Sequence, residues 1–125
     1  NYFDHGANQD GLVKIVAQDS STSGISNFNF RDEWYNLEPF PSRVKFLATV
    51  DENSLATRRE THPGHGDFHP VAWCQYYNGG RSWVTTLGHA ADAFIDGSGF
   101  PGQQQFKSLI VNGILSAMVN IPFFH

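Results

Sequence analysis

Two histidines flank a segment rich in β-branched and aromatic residues, and an imidazole can exchange a proton near neutral pH. The run HPVAWCQYY starts at His69, the run RSWVTTLGH ends at His89, and Asn78-Gly79-Gly80 separates them. This pattern predicts a β-hairpin. Its antiparallel register would return His69 and His89 to the same end of a sheet, close enough to flank one ligand. The alternative is that each histidine only bonds locally, His69 before Pro70 and His89 after Gly88.

A second group of chemically active side chains is the string Asp32-Glu33-Trp34-Tyr35. Side chains alternate along a strand, so one carboxylate and one aromatic ring would share each face. A carboxylate beside an aromatic ring suits a sugar, because the hydroxyls bond the acid while the apolar sugar face stacks on the ring. The alternative is that Trp34 belongs to the core and the carboxylates are merely solvated.

Arg81 follows the glycine turn of the predicted hairpin. It could anchor a ligand, form an ordinary structural ion pair with a carboxylate, or lie over the ring of Tyr76 as a cation–π contact. The sequence leaves these roles open, so Arg81 stays among the candidate binding residues.

The sequence contains no strong metal or nucleophile motif. His62, His65 and His69 have the imidazoles that zinc accepts, but their spacing fits no standard site and no cysteine completes it. We therefore expect no metal and no cofactor. Cys74 falls in mid-strand, where a buried thiol is an inert small hydrophobe, and Ser82 lacks the G-x-S-x-G motif of a hydrolase nucleophile.

The composition limits the class of protein. The chain has 125 residues, 40% of them hydrophobic, and a net charge of −4, which fits a single domain over residues 1–125. No run of Lys or Arg offers a nucleic-acid surface, and no apolar run approaches the ~20 residues that cross a bilayer. We expect neither nucleic acid nor a membrane as partner. One cysteine does not report the compartment, and secretion of a mature chain is our expectation.

Three further strands would position these residues. Alternation predicts strands over Gly11–Asp19 and 27–36, and an apolar run predicts a strand buried on both faces over Val44–Asp51. A two-residue turn would leave both faces of the hairpin largely apolar, which favours a place in the sheet interior and buries both of its tryptophans. The pairs predicted across the hairpin are Trp73 with Val84, Cys74 with Trp83, and Tyr76 with Arg81.

The rest of the chain predicts one loop and one helix. The polar stretch Glu52–Phe68 is typical of an irregular surface loop. From Gln103 to Val119, apolar residues at helical spacing predict an amphipathic helix. Gly113 inside it indicates either close packing against the sheet or a tolerated defect. The apolar side of this helix comprises Phe106, Leu109, Ile110, Ile114, Leu115 and Met118.

In chain order, the blocks YFDHG, RDEWYN, LATVDE, HPVAWCQYYNGGRSW and TTLGHAADAF resemble successive blocks of the ThuA-like (trehalose-utilisation) family, and FKSLIVNGILSAM resembles its last helix. The resemblance places His89 in the family's GH motif and favours Glu33 and Tyr35, from RDEWYN, as site residues. It also suggests that His5 joins the same pocket, although the family's usual His-Pro is His5-Gly6 here.

The resemblance implies a flavodoxin-like fold, a three-layer α/β/α sandwich related to class I glutamine amidotransferases. The family domain is usually much longer, so we expect a shortened α/β version with about five strands and a C-terminal helix. The relatives carry their nucleophilic cysteine in the opening half, and Cys74 cannot inherit that role. We expect the chain to form a homodimer or to associate with the missing half-domain.

Two functions of different class follow from these residues. The first, which we favour, is a carbohydrate-binding, lectin-like protein without catalysis. The second is a sugar-modifying enzyme of trehalose or related sugar metabolism, either by itself or as a fragment whose other half a partner chain supplies. In it, His89 or His69 would be the general base, and Glu33 would orient that histidine or the sugar. The candidate ligand-binding residues are His5, Asp32, Glu33, Tyr35, His69, Arg81 and His89.

Overall fold

Strands dominate the fold, as the wealth of β-branched and aromatic residues predicts. The structure is a computed structural model that describes residues 2–56 and 64–118. Short 3₁₀ turns cover Ser20–Thr22, Glu52–Ser54 and Ala91–Phe94. The regular elements are β1 (Tyr2–His5), β2 (Gln9–Ile15), β3 (Phe28–Asp32), β4 (Tyr35–Glu38), β5 (Lys45–Asp51), β6 (Pro70–Tyr77), β7 (Gly80–Thr85) and α1 (Gln103–Met118).

The strands form two sheets. The larger sheet has five antiparallel strands in the order β3-β2-β5-β6-β7. The smaller sheet pairs β1 with β4 and sets His5 opposite Tyr35. Only Glu33 and Trp34 separate β3 from β4 in the chain, so these residues lie where the two sheets meet.

The β6–β7 hairpin has the predicted register, with Trp73 opposite Val84 and Cys74 opposite Trp83. Asn78 and Gly79 have φ values of 53° and 82°, the left-handed pair that a two-residue hairpin turn requires. The predicted place in the sheet interior is correct for β6 and wrong for β7, which is an edge strand. Trp73 is buried at 6% exposure, whereas Trp83 is only partly buried.

Helix α1 confirms the predicted helix, whose last predicted residue, Val119, lies outside the described residues. Its Phe106 ring stacks on Phe30 of β3, with centroids 4.8 Å apart. At the other end of the helix, a Cβ on Gly113 would overlap the indole of Trp83 in β7. The helix thus touches both edge strands of a curled sheet, and close packing explains Gly113.

The buried side of α1 differs from the predicted apolar side. Phe106 and Leu109 are buried, but so are Gly113 and Ser116, while Met118 is 75% exposed. Small residues let the helix approach Trp83 and the Ser20–Thr22 turn closely, where Ser116 Oγ lies 3.1 Å from Ser20 Oγ. The apolar residues left about half exposed or more are Val111, Ile114, Leu115 and Met118.

Two of the other predicted segments are shorter or more buried than expected. The strand predicted over Gly11–Asp19 is β2, which ends at Ile15, because Asp19 instead caps the next turn by accepting the Ser21 N–H. The predicted surface loop Glu52–Phe68 begins with a 3₁₀ turn whose Glu52 is buried. Residues 57–63 of that loop lie outside the described ranges.

The predicted mixed α/β class is confirmed, with a five-stranded sheet and a C-terminal helix. Strand β5 is buried over Leu47–Val50, as its apolar run predicts. The three-layer sandwich is not confirmed, because the sheet is antiparallel and the described residues contain one α-helix, too few for two helical layers. Within the described part of the chain, no helix is long and apolar enough to cross a membrane.

Candidate functional site

The strand predicted over 27–36 is broken between Asp32 and Tyr35, and this break creates the candidate site. The Asp32 carboxylate accepts the N–H of Glu33 at 2.9 Å, a local bond that ends the β3 ladder. Trp34 turns into the core at 3% exposure, and its Nε1 donates to the carbonyl of Gln9. The core interpretation of Trp34 is thus confirmed, and Glu33 is left outside both sheets.

Glu33 is the centre of a cluster of polar side chains. Its Oε1 lies 2.9 Å from Nδ1 of His89, and its Oε2 lies 3.5 Å from Nδ1 of His5. The hydroxyl of Tyr35 also hydrogen-bonds to Glu33. We call these four residues the Glu33 cluster.

Three elements bring the Glu33 cluster together. His5 ends β1 and faces Tyr35 across the β1–β4 ladder, where their rings meet edge to face at 5.3 Å. His89 lies in the segment after β7, which is the edge strand opposite β3 in the larger sheet. All four were candidate site residues in the sequence, but their spacing along the chain does not predict that they meet.

The cluster is accessible from solvent. The side chains of His89, His5 and Glu33 are 47%, 35% and 19% exposed. The pKa of Tyr35 is raised above its usual value, first because the phenol is partly desolvated and then because the Glu33 and Asp32 carboxylates repel a phenolate. Tyr35 therefore remains a neutral donor beside an acceptor carboxylate.

Asp32 lies beneath the cluster, with an exposure of 0%. Its carboxylate also accepts the backbone N–H of Gly88 at 2.8 Å and of His89 at 3.1 Å. Burial raises its pKa, although these amide bonds act in the opposite direction. The sequence predicts Asp32 as a ligand contact. In the structure, its oxygens accept hydrogen bonds from backbone amides instead.

His69 reaches the same end of the sheet as His89 but stays buried. Its ring is 1% exposed, and its Nε2 lies 2.9 Å from the carbonyl oxygen of Tyr35. His69 thus contacts the Tyr35 backbone and His89 the Glu33 side chain, while their joint contact with one ligand stays a prediction. A ligand could touch His69 only by displacing the residues that cover it.

A second, buried group surrounds His69. The Glu52 carboxylate accepts the backbone N–H of His65, and the rings of His65 and His69 meet at 4.6 Å.

Of the three histidines considered as metal ligands, His62 lies outside the described residues. Among residues 2–56 and 64–118, no three His, Cys, Asp or Glu side chains are arranged to hold a metal ion. In the Glu33 cluster, Nδ1 of His89 faces a Glu33 oxygen, and Nδ1 of His5 lies 2.8 Å from the carbonyl oxygen of Gly6, so the two nitrogens do not face a shared point.

Arg81 is not brought to the cluster. It lies beside the hairpin turn, about 13 Å along β7 from Thr85 at the usual strand rise. Its guanidinium lies over Tyr76 at 5.5 Å, so the cation–π alternative is confirmed. Its Nη1 donates to the carbonyl of Ser116 at 3.0 Å, which ties the hairpin to the end of α1.

Cys74 is a buried residue in the middle of β6, as its position in the sequence predicts. Burial, more than the negative charge of Asp19, raises the pKa of its thiol to about 12. The thiol is therefore uncharged at neutral pH and has almost no exposed surface, so it cannot act as a nucleophile.

A cavity of ≈ 750 Å³ lies away from the Glu33 cluster, along residues 15–25. Its walls combine apolar side chains with serine and threonine hydroxyls. The buried carboxylate in its wall, Asp19, is bound to Ser21 and to Lys45. We favour the Glu33 cluster as the functional site, because it gathers a partly exposed acid, two imidazoles and a phenol at one end of the sheet.

The fold and the site define a mixed α/β protein with a carboxylate–imidazole cluster at one end of its sheet. Sequence comparison shows its family: the chain belongs to the ThuA family, described as trehalose utilisation, whose model matches residues 1–117. No curated protein and no solved structure matches the chain.

Proposed function

We propose that the chain binds a carbohydrate at the Glu33 cluster, as a lectin-like protein built on the ThuA scaffold. The observation that carries this proposal is that one partly exposed carboxylate bonds to Tyr35 and His89 and lies 3.5 Å from Nδ1 of His5. A sugar hydroxyl both donates and accepts, so it can bond to the carboxylate and to an imidazole together. The exposed imidazole rings offer apolar faces to the sugar ring.

The charge of the site favours a neutral sugar. Glu33 and the underlying Asp32 are acidic, and among residues 2–56 and 64–118 the cationic partners recorded for Glu33 are the imidazoles of His5 and His89. An anionic ligand would meet these carboxylates at close range. The family description, trehalose utilisation, supports trehalose as the first probe.

A second function, sugar modification, is favoured by the geometry of one pair. Nδ1 of His89 lies 2.9 Å from Glu33 Oε1, which fixes the proton on Nδ1 and leaves Nε2 with a lone pair. Nε2 could then take a proton from a sugar hydroxyl or a water, while the Glu33 carboxylate stabilises the imidazolium that forms. His89 suits this role better than the buried His69.

Calorimetric titration with trehalose, and with glucose and maltose for comparison, tests the binding proposal. His89→Ala should abolish measurable trehalose binding without unfolding the chain, because it removes one of the groups on Glu33. Gln104→Ala, an exposed change in α1, is the control and should leave the affinity unchanged. Trehalose binding that survives His89→Ala would place the sugar elsewhere.

Time-resolved NMR of trehalose mixed with the protein separates binding from catalysis. The lectin-like function predicts an unchanged sugar spectrum. The enzyme predicts new sugar signals that disappear in His89→Gln, since glutamine can still bond to a hydroxyl but cannot transfer a proton.

Association as a homodimer or with a second half-domain stays a prediction, and so does secretion. A second half-domain would also be needed to complete the three-layer sandwich implied by the longer relatives. Sedimentation velocity of the 125-residue chain tests the homodimer, which requires twice the monomer mass in solution.

A further inference from the structure

We propose that Asp32 is a positioning residue that holds Glu33 and His89 at bonding distance, an inference that rests on the Glu33 cluster being the functional site. Asp32 has no exposed surface and touches no ligand in this proposal. Its role is to fix the backbone positions of Glu33 and His89, whose side chains contact each other.

The evidence is the set of groups that Asp32 binds. Its Oδ1 accepts the N–H of Glu33 at 2.9 Å and the N–H of His89 at 3.1 Å, and its Oδ2 accepts the N–H of Gly88 at 2.8 Å. One oxygen is thus shared by the backbone amides of the two residues whose side chains pair. Their separation of more than fifty residues in sequence makes this bond a direct tie between the end of β3 and the segment after β7.

The segment after β7 is held from its other side as well. Gly88 has φ of +108°, and a Cβ there would lie 3.1 Å from the rings of both Phe94 and Phe106. The backbone of the Gly88–His89 segment is thus held by the amide bonds to Asp32 and by the close approach of the two rings to Gly88.

A carboxylate is the only common side chain of this length that can accept all three bonds. Asparagine keeps one acceptor oxygen but replaces the other with an NH₂ group, which would oppose the Gly88 N–H as donor against donor. Asp32→Asn should therefore release the Gly88–His89 segment and lengthen the contact between His89 and Glu33. A buried charge whose bonds end on backbone amides has this effect without any contact to the ligand.

The tautomer of His89 gives a readout that does not depend on a ligand. Nitrogen NMR of labelled histidine at about pH 8, where an ordinary imidazole is neutral, distinguishes a proton on Nδ1 from a proton on Nε2. In the wild type the proton should sit mainly on Nδ1, facing Glu33, and Glu33→Gln should remove this preference. Asp32→Asn should lower the ratio of the Nδ1–H to the Nε2–H form by about tenfold and weaken trehalose binding by a similar factor.

The control is Asp10→Asn, the same substitution at an exposed carboxylate that pairs with Arg31, and it should change neither readout. A folded Asp32→Asn protein with the wild-type tautomer ratio would overturn the inference, and so would a wild type without the Nδ1–H preference. Absence of trehalose binding in the wild type, with a tautomer ratio that still depends on Asp32, would contradict the proposed function and leave the inference standing.

If Asp32→Asn does not fold, a second measurement on the wild-type protein tests the positioning role of Asp32. Scalar couplings across hydrogen bonds in the wild type should connect the Asp32 carboxyl carbon with the amide nitrogens of Gly88 and His89. Their detection supports the inference, and their absence in a well-resolved spectrum overturns it.

Discussion

Two neighbouring carboxylates in this protein have different surroundings and different roles. Glu33 is partly exposed and bonds to side chains, whereas Asp32 is buried and bonds to backbone amides. Both carboxylates bind His89, Glu33 through the imidazole and Asp32 through the backbone N–H. Alternation along the chain does not show which carboxylate is buried, because that depends on the distant Gly88–His89 segment that binds Asp32.

The environment of Cys74 leads to a prediction at the scale of the residue. Because burial raises its pKa to about 12, iodoacetamide at about pH 8 should alkylate the native thiol at least a hundredfold more slowly than the unfolded one, whose pKa is ~8.5. Mass spectrometry of samples quenched over time, with and without denaturant, measures both rates. Equal rates would show that the thiol is accessible in the folded chain.

At the scale of the element, close packing of α1 on β7 decides which helix face is buried. Hydrophobic periodicity assigns Ile114, Leu115 and Met118 to the core side, but these side chains are about half exposed or more. The buried positions include Gly113 and Ser116, since only small residues allow the helix backbone to approach Trp83. Periodicity identifies a helix well, but it does not distinguish a small buried residue from a small exposed one.

Gly113→Ala tests this packing. Alanine favours a helix over glycine by ~1 kcal/mol, yet its Cβ would overlap the Trp83 indole. We expect a net loss of ~1–3 kcal/mol in the free energy of unfolding, the usual cost of overpacking. Urea denaturation measures it, and Trp83→Leu combined with Gly113→Ala should recover part of the loss. A stabilised Gly113→Ala protein would show that the helix lies farther from β7.

Trp73 tests the interior strand of the hairpin. It is 6% exposed and meets the rings of Phe40 and Phe46 at about 6 Å. Trp73→Ala should cost ~3–5 kcal/mol in the free energy of unfolding through the cavity it leaves. Tyr77→Ala, at the 70% exposed end of the same strand, is the matched control and should change stability by less than ~0.5 kcal/mol.

At the scale of the whole molecule, the buried charge of Asp32 links stability to pH. Its pKa in the folded chain is raised above the ordinary 3.8, so the folded state binds this proton more tightly than the unfolded state. Its contribution to stability is therefore complete below pH 3.8 and decreases as pH rises through the folded pKa.

Asp32→Asn removes this titration and supplies the comparison. The free energy of unfolding of the wild type minus that of Asp32→Asn should fall as pH rises from about 3.5 to 7. Urea titrations of both proteins at a series of pH values measure the difference, in which the titrations of the other groups largely cancel. A difference that rises with pH would mean that the amide bonds of Asp32 outweigh its burial.

Local structure and family membership could both be predicted from the sequence. The Asn78-Gly79 turn fixes the hairpin register, the apolar run fixes β5, and the order of short blocks indicates the ThuA family, because each of these depends on residues close together in the chain. The sequence also included all four members of the Glu33 cluster among its candidates.

Only the tertiary structure decided which candidates meet. It gathered His5, Glu33, Tyr35 and His89, buried His69 and Asp32, and set Arg81 at the other end of the hairpin. It also joined Asp32, at the end of β3, to the amides of Gly88 and His89, which lie more than fifty residues away in sequence. Contacts of this range depend on how sheets and helix close on one another, and no local pattern in the sequence encodes that distance.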